Sequence, residues 1–225
     1  MKGKNSVQRI INSSICSACG ACMAICPKHA ISFKRNNSNF LSAIVDINLC
    51  VDCGQCIMVC PSDIDNVAYL LNKERDNWDS GSKILAGFVG HATDMQIRSR
   101  GQSGGVVTAL LVNLLQSRAI EGALVNHFDI PSQQQDVFFA NTVGQLQSAQ
   151  GSYYLQSAVL KNINKYVGKK IAVVATGCQS EALELCQRMN YSRPYLTIGL
   201  VCEGIYSLNY MYDLIDESDN SLNIK

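Results

Sequence analysis

Eight of the chain's eleven cysteines fall into two runs with one spacing. Cys16, Cys19, Cys22 and Cys26 precede Pro27, and Cys50, Cys53, Cys56 and Cys60 precede Pro61. Both runs read C-x2-C-x2-C-x3-C-P, so the first third of the chain is an internal repeat. Three thiols in so short a stretch can face one point only from a tight loop. Gly20 and Gly54 stand inside these loops, where a positive φ costs glycine least. Pro27 and Pro61 turn the chain away after each fourth cysteine, because proline fixes φ and donates no hydrogen bond.

This spacing is that of bacterial two-cluster ferredoxins, in which the fourth cysteine of each run ligates the other cluster. It assigns Cys16, Cys19, Cys22 and Cys60 to one 4Fe-4S cube and Cys50, Cys53, Cys56 and Cys26 to a second. Backbone N–H groups of such loops can point at the sulfurs and stabilise their negative charge. Zinc sites usually pair C-x2-C units across longer gaps. They fit three cysteines in one loop poorly. Between the runs, ISF and FLSAIVDI flank the polar KRNNSN, a hairpin pattern. Ile15, Ile25, Ile31, Ile57 and Val59 are expected to exclude water from the cubes.

Eleven cysteines in 225 residues lie below the roughly 8–10% that marks a disulfide scaffold. The first residues have no sustained apolar segment of the secretory kind. The longest apolar run, VVTALLVNLL, is shorter than the roughly 20 residues of a membrane span. A cytoplasmic location is expected, where thiols stay reduced and clustered cysteine means metal. Lys and Arg total 19 against 18 Asp and Glu, so no basic field points to nucleic acid.

Residues 1–75 are expected to form the two-cluster domain, with a linker at 76–82 inside the polar stretch NKERDNWDSGSK (72–83). Thereafter apolar runs alternate with helical patterns. Strands are expected at 83–92, 123–129, 136–142, 169–177 and 195–202. Helices are expected at 103–118, where Val107, Leu110, Leu111, Leu114 and Leu115 share a face, at 155–167, and in QSEALELCQRM. Such alternation argues for an α/β domain at 83–215 with a mixed or partly parallel sheet, followed by a polar tail at 216–225. The fold class is thus an α+β ferredoxin-like two-cluster domain followed by an α/β domain.

Three loops of the second half carry chemical potential. In RSRGQSGGVVT (98–108), glycines precede a helix, with Ser103 a candidate N-cap and Arg98 and Arg100 nearby. The amides at such a helix start suit phosphate, although a flexible loop with an ordinary cap explains the same residues. ATGCQSE (175–181) and GLVCEG (199–204) each end a strand, where open α/β sheets bind ligands. Cys178 reads equally as a ligand or a small apolar residue. Cys186, inside a helix, reads as core, and His29 and His127 as structural.

The repeat, then RSRGQSGGVVTALL, SAQGSYYLQSAVL, KKIAVVATGCQSEAL and IGLVCEG, in this order, resembles the family of coenzyme F420 hydrogenase/dehydrogenase beta subunits. The resemblance covers most of residues 14–212. It implies an iron–sulfur flavoprotein with FAD in the α/β domain. Gly104, Gly105 and Thr108 match the family's glycine-rich segment, and Ser152 and Tyr154 its GS-x-Y segment. Tyr153 stands where relatives often carry lysine, and Gly177 where they often carry proline. Cys178 and Cys202 match family positions that look like ligands of a further 4Fe-4S cluster, which this chain would complete only with ligands from elsewhere. Family members usually continue into a longer C-terminal domain, most of which this chain is expected to lack.

The implied function is electron transfer between ferredoxin-type clusters and a flavin, with a deazaflavin coenzyme and a redox partner or catalytic subunit as partners. The alternative is an electron carrier or adaptor without a working flavin site. A redox-sensing regulator is the third class, which no DNA-binding motif supports.

Overall fold

The structure, a computed structural model, describes residues 4–79, 85–129, 134–189, 191 and 194–219. The first half contains helix α1 (Gln8–Asn12), helix α2 (Ala21–Ile25), strands β1 (Ile31–Arg35) and β2 (Leu41–Val45), helix α3 (Gln55–Met58) and helix α4 (Ile64–Asp79). The expected hairpin is present. β1 and β2 pair antiparallel, Ile31 opposite Val45 and Arg35 opposite Leu41. The polar turn between them closes on Asn36, whose side-chain oxygen accepts from the amides of Ser38 and Phe40.

The second half contains helices α5 (Met95–Arg100) and α6 (Val106–Gln116), strands β3 (Gly122–Asp129) and β4 (Gln134–Ala140), and helix α7 (Val143–Ser148). A 3-10 turn at Ile163–Tyr166 leads into strand β5 (Ile171–Thr176), helix α8 (Gly177–Gln187), strand β6 (Leu196–Leu200) and helix α9 (Leu208–Asp219). Four strands form one sheet in the order β4-β3-β5-β6. β3 and β4 are antiparallel, whereas β3–β5 and β5–β6 are parallel. The sheet is therefore mixed, as the alternation of strands and helices predicts. Central β5 reads IAVVAT and buries Ile171, Ala172 and Val173 almost fully, as a strand covered on both faces must.

Several local expectations are corrected. Residues 72–79 are not linker but continue α4; residues 80–82 lie outside the described residues. Residues 85–92 form no strand. Leu85, Phe88 and Val89 stand exposed there, and the amide of Ala92 bonds to the carbonyl of Gly104 at 2.7 Å. An apolar run is a strand only where it finds a pairing partner, and this one packs its end against a loop instead. Residues 155–162 are not helical, because Leu160 N–H donates to Cys19 O (3.0 Å) rather than to the carbonyl four residues back. In α6 the buried positions are Thr108, Leu111 and Val112, and Leu110 faces solvent. Residues 216–219 belong to α9; residues 220–225 lie outside the described residues.

The halves share a hydrophobic core. Ile25, Val59 and Leu70 from the first join Leu124, Leu160, Ile171, Leu183 and Leu185 from the second in one buried cluster. Around it, Lys73 of α4 pairs with Glu184 of α8, and the Arg188 guanidinium lies 4.0 Å over the Tyr69 ring. The half-exposed ion pair contributes little by itself, and apolar burial does most of the joining.

Candidate iron–sulfur centres and the loops that flank them

The two cysteine loops have the same backbone. Ala18 and Asp52, equivalent in the repeat, have φ +58° and +55°, and Gly20 and Gly54 have φ +95° and +79°. Left-handed residues at these places fold each loop back on itself, and a short helix, α2 or α3, follows. Glycine takes the wider positive φ at the second position, while alanine and aspartate carry the strain at the first.

The thiols sort into two sets around two cavities. Cys16, Cys19, Cys22 and Cys60 line one of ≈ 330 Å³, its open mouth included, together with Val7, Ile10, Phe33, Ala43 and Val59. Cys26, Cys50, Cys53 and Cys56 line another of ≈ 360 Å³ with Ile31, Val45 and Pro27. Each set thus takes its fourth cysteine from the other repeat. Of the apolar residues expected to shield the centres, Ile25, Ile31 and Val59 are buried. Ile15 is half exposed, and Val7, Ile10 and Phe33 take up that work around the first cavity. Val7 and Ile10 lie before the motif on α1 or its cap, a place that cysteine spacing does not reach.

Burial dominates the electrostatics. It pushes the Cys19 and Cys22 thiols well above the ordinary thiol range, raises Cys56, and raises Cys60 to about 11. Neighbouring sulfurs add to this: Cys60, Cys178 and Cys16 act on Cys19, and Cys26, Cys50 and Cys53 on Cys56. Backbone amides work the other way, from Ala21 to Cys19, Val7 to Cys56 and Ser62 to Cys60, and Ala30 N–H donates to Cys26 Sγ at 3.3 Å. Burial thus favours the neutral thiol at Cys19, Cys22, Cys56 and Cys60 until a cation replaces the proton. The end of the second loop is pinned by buried Asn66, whose amide donates to Ile57 O and Cys60 O, and by Asp63, which pairs with Arg9.

The glycine-rich loop and the GS-x-Y segment meet. Gln102 Oε1 accepts from Ser152 N (2.6 Å), and Gln150 Nε2 donates to Ile97 O (2.6 Å). Gly104 and Gly105 precede α6 with φ +81° and +73°. Gly105, not Ser103, is the N-cap, and no side chain caps the helix, which leaves its first amides free of a side-chain acceptor. A Cβ on Gly105 would fall 2.8 Å from Ile97 O, and one on Gly104 3.0 Å from His91 Cβ. Both glycines are thus demanded by contacts within the protein. Thr108 is buried in α6, and Tyr154 is largely exposed with φ +41°. Tyr153 donates its hydroxyl to Gln150 O, and burial raises its pKa.

Cys178 opens α8 and Cys202 follows β6, each two residues beyond paired Thr176 and Leu200, so they lie at one end of the parallel pair. Cys202 is exposed. Cys186 is buried, as expected, and its pKa is raised to about 12 by burial. The folded chain therefore keeps this proton from about pH 9 to about pH 12, where the unfolded chain releases it. The resulting stabilisation is complete below about pH 9 and is lost as pH rises through about 12. At about pH 8 a maleimide should label Cys202 quickly and leave Cys186 unmodified until denaturant is added, read by peptide mass spectrometry. Equal labelling of the two in folded protein would contradict the buried placement.

Four glutamines inside the segments that carry the resemblance tie these loops together. Besides Gln102 and Gln150, Gln156 Nε2 donates to Cys16 O (3.3 Å) and Gln179 Nε2 to Ser157 O (2.9 Å). Their place within those segments was a signal that sequence reading passed over in favour of the glycines and cysteines.

Comparison with known proteins fits this arrangement. The family model "4Fe-4S dicluster domain" matches residues 15–64. "Coenzyme F420 hydrogenase/dehydrogenase, beta subunit N-term" matches residues 88–164, and the model for the C terminus of that beta subunit matches 168–224. The chain belongs to the family of coenzyme F420 hydrogenase/dehydrogenase beta subunits. The two beta-subunit models meet between residues 164 and 168, inside the stretch 83–215 expected to form one α/β domain. An uncharacterized protein of Methanocaldococcus jannaschii is 25% identical over 95% of this chain and 66% of its own length. A subunit of the F(420)H(2) dehydrogenase of Methanosarcina mazei is 25% identical over 97% of this chain and 62% of its own. The chain thus spans just under two thirds of the length of these relatives. A chain of the F420-reducing [NiFe] hydrogenase complex from Methanosarcina barkeri shares the fold, with TM-score 0.52 and 23% identity, over 58% of this chain and 48% of that one. Among the described residues no helix is long and apolar enough to cross a membrane.

Proposed function

We propose that this chain serves electron transfer within a larger assembly and holds two 4Fe-4S clusters and a flavin. Cys16, Cys19, Cys22 and Cys60 would hold one cluster, and Cys26, Cys50, Cys53 and Cys56 the other. The carrying observation is the sorting of eight thiols into two cavities with exchanged fourth members. The donor chemistry suits iron–sulfur cubes, because four cysteines line each cavity and backbone amides point at four of the eight thiols. The first set lies against the α/β half, since Leu160 and Gln156 bond to its loop, and the second lies farther out with Cys53 exposed. The first set is therefore the inner centre and the second the outer one.

FAD would lie along Gly104, Gly105 and Thr108 with Ser152 and Tyr154. The uncapped start of α6, near Arg98 and Arg100 in the chain, offers amides and positive charge to a diphosphate. Gln150, whose Nε2 bonds to Ile97 O, keeps a buried Oε1 without a hydrogen-bond partner. Clusters carry single electrons, and a flavin would supply the chemistry that combines two of them with a solvent proton as a hydride equivalent for a deazaflavin coenzyme. Cys178 and Cys202 would add two ligands to a further cluster completed by other residues. A partner subunit or redox protein belongs to this reading, since one relative is a dehydrogenase subunit and the structural neighbour a chain of a hydrogenase complex, and the location would be cytoplasmic. In domain terms, 1–75 would be the cluster domain and 83–215 the flavin domain.

A second reading, an electron carrier without flavin, is favoured by one observation: Gly104 and Gly105 are accounted for by contacts with His91 and Ile97 alone. Anaerobic reconstitution with iron, sulfide and FAD, followed by desalting, separates the two. The flavoprotein reading expects equimolar flavin retained with the iron. Iron uptake without flavin under saturating FAD leaves the carrier.

A further inference from the structure

The two cysteine loops share a backbone but not a neighbour. A Cβ on Gly54 would meet only Asn5, at 3.7 Å or beyond. A Cβ on Gly20 would fall 2.5 Å from Lys161 N and 3.0 Å from Ala158 O, both main-chain atoms that no rotamer change can move. Beside this contact, Leu160 N–H donates to Cys19 O and Gln156 Nε2 to Cys16 O. The same strap is held from its other side by Gln179, which donates to Ser157 O and closes the capping box of α8 with Thr176. Residues 156–161 therefore run from the carbonyls of the first cysteine loop to the carboxyl end of β5.

The geometry points to Gly20 as a positioning residue that seats the first cysteine loop on the 156–161 strap, so that metal loading of this loop and ordering of the strap are thermodynamically linked. This rests on the reading of Cys16, Cys19, Cys22 and Cys60 as cluster ligands. The cause is mechanical. Ligation fixes the loop whose carbonyls of Cys16 and Cys19 the strap needs as acceptors, and a fixed acceptor costs the strap less entropy to reach. Linkage is reciprocal, so an ordered strap must also favour metal in the first loop. The second loop has no such contact and serves as an internal control with the same left-handed glycine.

Hydrogen exchange of the peptide spanning 156–162, with iron and sulfide counted in each sample, tests this. In wild-type protein, loading should slow exchange of the strap on the order of tenfold, a typical coupling between linked sites. Gly54→Ala should keep that gain in protection, although it too places a side chain at a positive φ, +79° against +95° at Gly20. Gly20→Ala should lose the gain. If Gly20→Ala does not fold, Gln156→Ala decides: a gain reduced by roughly threefold or more supports the linkage, in line with loss of one hydrogen bond, and an unchanged gain overturns it. Full iron with no change in strap exchange, or equal gains in the two glycine variants, overturns the linkage and leaves the cluster reading intact. Failure of wild-type protein to take up iron overturns both.

Discussion

Cys60→Ala should remove the cluster held by Cys16, Cys19 and Cys22 and leave the one held by Cys50, Cys53, Cys56 and Cys26. Iron content should fall by about half, from about eight to about four per chain, if each cube carries four irons. The spectroscopic signature that survives should be that of the outer centre. The expectation runs against sequence proximity, since Cys60 lies next to Cys56 in its own run. It follows from the cavity that Cys60 lines together with the first loop, and from the charge of Cys16 acting on it. The companion Cys26→Ala should remove the other cluster, because Cys26 lines the cavity of Cys50, Cys53 and Cys56. Electron paramagnetic resonance of the reduced variants distinguishes the two outcomes. Loss of the outer signal in Cys60→Ala would refute the exchange of fourth ligands.

The second large effect is on folding. Leu160→Ala should destabilise the protein by about 2–5 kcal/mol, the usual range for a buried leucine cut to alanine. Leu160 is fully buried in the cluster that contains Ile25 and Val59 from one half and Ile171 and Leu185 from the other. The loss should therefore appear in both halves. Far-ultraviolet circular dichroism and near-ultraviolet cluster absorbance should shift together on chemical denaturation, because one core serves both. Separate transitions, with the cysteine half unmoved, would show that the shared cluster does not couple them.

Much of this was legible in the residues. The repeat gave the two loops, their glycines and the grouping of thiols, because metal chemistry ties spacing to geometry directly. The hairpin at 31–45 and strands β3 to β6 followed from apolar runs bounded by polar turns. What escaped depends on partners distant in sequence. Residues 85–92 have the composition of a strand, and only the sheet's actual pairings exclude them. Residues 155–162 have the spacing of a helix, yet their amides and glutamine serve the loop at Cys16 and Cys19. The polar stretch at 72–79 looks like linker because its composition lacks an apolar stripe, although its backbone continues α4. Gly104 and Gly105 suggest a ligand by pattern, while His91 and Ile97 supply a reason for them inside the fold.

The claim that carries the rest is that the eight motif cysteines hold two iron–sulfur cubes. Iron and acid-labile sulfide, counted per chain after anaerobic reconstitution, test it most directly. About eight of each is the predicted result, and about twelve would mean that Cys178 and Cys202 join a further cluster. Bound zinc without sulfide, or about four irons in total, would contradict it.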